Sequence, residues 1–216
     1  PGDPFQCNTY LIEAGDQSVL IDPGSRLSHA ETRRKIAEVT DFSNLRWFVC
    51  QHPDPDITGA LIPMANDVTR SDAAVVTHWR AEMLTQHLGV GIPFFRIEDH
   101  DWRLDLGSRA LEFVFTPYAH FPGAFCTFDR TSGTLFSSDL FGGISKDWTL
   151  VARDASHFEA IRAFHEHYMP SRDVVAHALG KLRQLPLRCA APQHGSIVPS
   201  DLLGPFMDEL ETLECG

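Results

Sequence analysis

The stretch Gln51-His52-Pro53-Asp54-Pro55-Asp56-Ile57-Thr58-Gly59 sets an imidazole and two carboxylates at alternating positions. An apolar, strand-like run, Leu45-Arg46-Trp47-Phe48-Val49-Cys50, leads into it, and Ala60-Leu61-Ile62-Pro63-Met64 reads as the start of a helix. A proline on each side of Asp54 holds this loop extended, because each fixes its own φ and restricts the residue before it. Side chains so placed can point into one pocket. One imidazole with two carboxylates is a hard, oxygen-rich donor set, suited to iron or manganese more than to a metal that prefers thiolates. Taken alone, the same residues also describe a solvated acidic turn.

Three later residues extend the pattern: His120 in Thr116-Pro117-Tyr118-Ala119-His120-Phe121-Pro122-Gly123, Asp139 in Phe136-Ser137-Ser138-Asp139-Leu140-Phe141-Gly142-Gly143, and His194 in Ala191-Pro192-Gln193-His194-Gly195. Each follows an apolar run and precedes glycine or proline, as a loop residue at a strand end does. Between Asp56 and His120 lie 63 residues, and between His120 and Asp139 lie 18. With these motifs in this order the chain resembles the metallo-β-lactamase superfamily and, within it, the flavodiiron and oxygen-binding di-iron proteins. The resemblance runs from about Asn8 to beyond His194, nearly the whole sequence.

That resemblance implies an α+β fold, the metallo-β-lactamase-like αβ/βα sandwich of two mixed sheets with outer helices. It also implies a centre of two non-heme iron ions about 3.5 Å apart. In this likeness His52, Asp54 and His120 hold one ion, Asp56 and His194 hold the other, and Asp139 bridges them. Asp22, at the end of a strand, supports the metal loops from behind. Dizinc hydrolases of the superfamily carry His where this chain has Asp54, and the extra negative charge favours ferric iron and oxygen chemistry. Flavodiiron proteins usually have Glu at the place of Asp54 and a His directly after the last Asp, where this chain has Ile57. The second ion then has one protein donor fewer. Tyr118 and Tyr168 are candidates to hydrogen-bond a bound oxygen species, and Phe121, Phe125, Phe141 and Trp148 to form a dry pocket around it.

Three functions follow. The first is a di-iron domain binding O2, as a sensor or carrier. The second is a flavodiiron-type reductase core for O2 or NO, fed by an external electron donor. The third is a dizinc hydrolase. No FMN-binding loop and no paired cysteines of rubredoxin type occur in the chain, so an electron donor or a fused output domain would be separate from this sequence.

The surrounding elements can be read from periodicity and punctuation. Asn8 to Gly24 gives two strands around Ala14-Gly15-Asp16, and Ser28 to Val39 a helix capped by Ser28. Ala73 to Thr77 is a strand, followed by a helix from His78 to Leu88 with Trp79, Met83, Leu84 and Leu88 on one apolar side. Phe94 to Phe115 holds three short strands; Phe125–Phe128 and Thr134–Ser137 form a hairpin. Helices span Ala155–Met169 and Asp173–Leu185. Leu187–Ala191 is the last strand, and Ser200 caps a closing helix to Leu213. The remaining histidines read as bland, with His29, His78, His87, His100 and His157 exposed.

Of the 216 residues, 43% are hydrophobic, enough for one sizeable core, and residues 1–216 are expected to form a single domain. Lys plus Arg number 18 against 29 Asp plus Glu, a formal charge of −11, which disfavours a nucleic-acid partner. Five scattered cysteines, odd in number, argue for a reducing, cytoplasmic setting. No apolar run approaches the ~20 residues of a membrane span. Pro1 stands where an initiator methionine would, as in a trimmed or processed chain.

Overall fold

The computed structural model describes residues 6–216. They divide into two compact units: Thr9–Leu111, and Glu112–Gly216 together with residues 6–8.

The first unit opens with the hairpin of β1 (Tyr10–Ile12) and β2 (Ser18–Ile21), Leu11 opposite Leu20. Helix α1 (His29–Ala37) follows, then β3 (Leu45–Val49), α2 (Pro55–Thr58), α3 (Leu61–Asp67), β4 (Ala74–Thr77), α4 (Trp79–Thr85), β5 (Phe94–Arg96) and β6 (Arg103–Asp105). The sheet order is β1-β2-β3-β4-β5, and all pairings after the first are parallel. Parallel strands are covered on both faces and read as unbroken apolar runs; β2 and β4 are buried throughout. Leu20, Phe48, Ile57, Leu61, Met64 and Val75 are among the core residues of this unit.

The chain passes into the second unit along β7 (Ala110–Phe115). There follow β8 (Phe125–Asp129), β9 (Thr134–Ser138), α5 (Phe158–Tyr168), α6 (Arg172–Leu182), β10 (Cys189–Pro192), β11 (Val198–Pro199) and α7 (Ser200–Thr212). Strands β7 to β11 lie in the order β11-β10-β9-β8-β7. β8 and β9 form the expected antiparallel hairpin, while β9 and β10 run parallel, Leu135 beside Ala190. Phe128, Phe141, Phe158, Phe164 and Phe206 fill the core of this unit, with apolar side chains from α5, α6 and α7 around them. α6 starts at a true cap: the Ser171 hydroxyl accepts from the backbone N–H of Val174 at 3.4 Å.

Several local expectations are corrected. Ser28 makes no side-chain cap to α1, its hydroxyl donating instead to the Ser25 carbonyl at 3.1 Å, and Val39 lies beyond the helix and is exposed. The expected apolar side of α4 faces outward: Trp79, Met83 and Leu84 are exposed, and the small residues Ala81 and Thr85 supply the buried face. Ser200 is the first helical residue of α7, with Pro199 in the capping position. His78 is buried rather than exposed, because its Nδ1 caps α4 by accepting from the Arg80 N–H at 3.2 Å.

Candidate metal centre

The first cluster of candidate ligands belongs to one loop of the first unit, where β3 gives way to α2. Side chains and backbone outside the loop hold its entry. The Thr77 hydroxyl donates to the Cys50 carbonyl at 2.7 Å. Asp22, buried at the end of β2 with φ of 47°, accepts from the Gln51 backbone N–H at 3.1 Å and from its side-chain amide at 2.9 Å. Asp22 thereby ties down, from behind the loop, the residue that precedes His52. The same charge, after burial itself, pushes the adjacent Cys50 thiol up and keeps it protonated.

His52 is buried, and its Nε2 lies 3.7 Å from Oδ2 of Asp54, whose side chain is 40% exposed. Asp54 occupies the extended cap position of α2, as the following Pro55 requires. Its carbonyl accepts from the N–H groups of Ile57 and Thr58 and from the Thr58 hydroxyl at 2.9–3.0 Å. Asp56 is half-buried in the first turn of α2. Ile57 is fully buried among the apolar residues of this unit.

The second cluster is assembled from three strand ends of the second unit. His120 lies between β7 and β8, Asp139 directly follows β9, and His194 follows β10. Because β9 and β10 are parallel neighbours, their ends deliver Asp139 and His194 side by side, and a register shift between Ala191 and Pro192 re-aims the end of β10. The two loops are then stitched together. Gln193 N–H donates to the Ser138 carbonyl at 2.8 Å, and Gly143 N–H to the His194 carbonyl at 3.1 Å. Gly195, at φ of 80°, brings its backbone so near Gly143 that a Cβ there would sit 2.9 Å from the Gly143 carbonyl oxygen.

The geometry of this cluster is directional. Asp139 presents Oδ2 to His120 Nε2 at 3.9 Å and Oδ1 to His194 Nε2 at 3.7 Å, one imidazole to each oxygen. These separations are too long for hydrogen bonds. They fit donors sharing an ion, since two atoms each about 2.1 Å from one metal lie about 3 to 4 Å apart. The far nitrogens are anchored: His194 Nδ1–H donates to the Gln6 carbonyl at 2.8 Å, and His120 Nδ1 faces the Tyr168 carbonyl at 3.3 Å. A carbonyl behind a histidine fixes its tautomer, with the proton on Nδ1 and the lone pair on Nε2, the form that binds metal. Backbone strain concentrates here too, with non-glycine positive φ at Tyr118, His120, Ser138 and Phe141, the pattern of a site held by its surroundings. The donor types and spacings therefore fit metal ions.

Some neighbours differ from expectation. Phe125 packs edge-on against Phe113, and Phe141 is a core residue. Trp148 is 40% exposed and donates through Nε1 to the Gly195 carbonyl at 3.1 Å. The ring against His194 is Phe164, at 5.3 Å between centroids, stacked in turn on Tyr168 at 4.7 Å. Tyr168 is 5.9 Å from the His120 ring, and both it and Tyr118 are exposed. Two further residues escaped the sequence reading. His165 is fully buried, its Nδ1–H donating to the Ile161 carbonyl at 2.8 Å, and burial above all lowers its pKa to about 4. Cys7, half-buried, has its thiol within 4.8 Å of a ring nitrogen of His194.

Known proteins resemble this chain in sequence and in fold. The putative diflavin flavoprotein A 1 of Nostoc sp. is 26% identical over 209 residues, 92% of this chain and 35% of that protein. The type A flavoprotein fprA of Rhodobacter capsulatus is 26% identical over 211 residues, 89% of this chain and 45% of its own length. The chain thus spans between a third and a half of these curated relatives. A solved structure of a chemotaxis sensor, ODP, in its peroxy diiron species, matches 98% of this chain and 89% of its own with a TM-score of 0.87 and 25% identity. A metal-soaked flavodiiron core from Synechocystis sp. shares the fold, with a TM-score of 0.83, 24% identity and coverage of 96% and 52%. Two mixed sheets with helices and these likenesses give the α+β, metallo-β-lactamase-like fold that the motifs implied. The family model described as ODP family beta lactamase matches residues 5–195, and the chain belongs to that family.

Proposed function

We propose that residues 1–216 act as one non-heme di-iron domain that binds O2 as a sensor or carrier, in the cytoplasm. The observation that carries this reading is Asp139, whose two oxygens each face a different carbonyl-anchored imidazole. That is the disposition a bridging carboxylate needs between two ions. In this reading His52, Asp54 and His120 would hold one iron and Asp56 and His194 the other, with Asp139 serving both. When bound, the iron pair supplies the electrons with which O2 or NO is held. The protein's part is to fix the donors, to keep His120 and His194 in the tautomer that offers Nε2, and to place the Phe164 and Tyr168 rings beside them. The likeness to a chemotaxis sensor in a peroxy diiron species supports the sensing role. An output domain or electron donor would lie outside these residues. No helix among the described residues is long and apolar enough to cross a membrane.

A second reading, a reductase core for O2 or NO fed by a separate donor, is favoured by the flavoprotein relatives. One experiment separates the readings. The protein is reconstituted anaerobically with ferrous iron, its metal content measured, and O2 admitted. Two irons per chain with a visible spectrum that changes on O2 exposure and reverses on its removal support the binding domain. Sustained O2 or NO consumption with an artificial donor supports the reductase. Binding of zinc only, with esterase activity, overturns both in favour of a dizinc hydrolase.

A further inference from the structure

We infer that Cys7 is a metal ligand, its thiolate completing the coordination of the ion on the His194 side. This deepens the di-iron reading and rests on it. Within the second unit the Cys7 thiol lies within 4.8 Å of a His194 ring nitrogen, and His194 Nε2 in turn lies 3.7 Å from Asp139 Oδ1. A thiol and a carboxylate thus each approach the His194 ring. Cys7 is also held there. Its neighbour Gln6 takes the Nδ1–H of His194 on its carbonyl at 2.8 Å. On the other side, Asn8 is sewn to the His194 loop three times: its backbone N–H donates to Gln193 at 2.6 Å, and its side-chain amide to the carbonyls of Pro192 at 2.9 Å and Gly195 at 2.8 Å. A segment bonded on both flanks to the loop that carries a ligand leaves the side chain between them little freedom to leave it. Loop-mounted donors secured in this way are typical of metal sites.

Ile57 supplies no such donor. It directly follows Asp56, cannot ligate, and is turned into the apolar core of the first unit. In the di-iron reading, flavodiiron proteins carry a His at the place of Ile57, so the second ion would have one protein donor fewer, and Cys7 would supply one. On binding, the thiol releases its proton and the sulfur shares a lone pair with the ion: Cys–SH plus M2+ gives Cys–S–M+ plus H+. Sulfur is a softer donor than the imidazole or carboxylate it accompanies, so the two ions become chemically unequal.

Cobalt(II) tests this without reference to activity, because a thiolate bound to cobalt gives an intense near-ultraviolet charge-transfer band that imidazole and carboxylate donors do not. The full chain is titrated anaerobically with Co(II), and bound cobalt is counted beside the spectrum. The expected result is two cobalt ions per chain with the band present, loss of the band in Cys7→Ser, and its retention in Cys189→Ser and Cys215→Ser, which change the other half-buried thiols. Bound metal should also protect Cys7 from iodoacetamide, read by peptide mass. Two ions without the band, or a band that survives Cys7→Ser, overturns Cys7 as a ligand and leaves the two-metal reading standing. Fewer than two ions in the wild type overturns the two-metal reading, and this inference with it.

Discussion

The two candidate clusters are built in opposite ways. In the first unit His52, Asp54 and Asp56 come from one loop, held by two prolines and by the start of α2, and the Asp54 side chain is 40% exposed. In the second unit His120, Asp139 and His194 come from three strand ends, Asp139 and His194 are buried, and positive backbone angles and carbonyl anchors hold the rings. A local cluster is fixed by short-range stereochemistry; a distributed one depends on sheet register and on loops that fit each other. The second should be more specific and less forgiving of change.

The largest effect follows from that difference. Asp139→Ala should lower metal affinity more than a hundredfold and release both ions, whereas Asp54→Ala should weaken one ion alone; metal analysis after gel filtration distinguishes them. Equal losses from both variants would erase the contrast. Next, Ile57→His places an imidazole inside an apolar core and removes a well-packed side chain. We expect a loss of about 3 kcal/mol in urea unfolding and no gain in bound metal. A gain in metal would show that α2 can turn this position outward.

His165 gives a smaller, pH-dependent effect. Its folded pKa of about 4 lies below the ordinary 6.5, because burial disfavours the charged ring. The neutral ring's contribution is complete above pH 6.5 and is lost as the pH falls toward 4, since the unfolded chain takes up the proton first. Between pH 7 and pH 5 this amounts to about 2 kcal/mol. In His165→Asn the urea midpoint should vary less over that range; an unchanged slope would assign the acid sensitivity to other groups. Smallest is Asp22→Asn, which keeps the shape but turns one accepting oxygen into a donor facing the Gln51 amide groups. Metal affinity should fall about tenfold with little change in unfolding midpoint, sharpening the view that the first cluster is controlled from one point behind its loop.

The same contrast governs what could be read from the residues in order. The loop from Gln51 to Gly59 announces itself because its donors alternate within one window, and strands such as β3, β8 and β9 announce themselves by apolar runs between turn residues. His120, Asp139 and His194 became legible through their order and their resemblance to a family, since sheet pairing brings them together. α4 misled because amphipathic spacing cannot say which face a short helix turns inward; Ala81 and Thr85 lie closer to the backbone and allow tighter packing than Trp79 and Met83. His165 looked ordinary because burial of a single helix position depends on neighbours far along the chain. Cys7 went unnoticed for the same reason, lying more than 180 residues from the histidine it approaches.

The tight contact between Gly143 and Gly195 carries one more consequence. With no hydrogen to spare between these backbones, a single methyl at 195 would act as a wedge, prising apart the turns that carry Asp139 and His194. The side-by-side placement of Asp139 and His194 therefore depends on a residue with no side chain at all, and change at 195 would part those two turns before it disturbed the surrounding sheet.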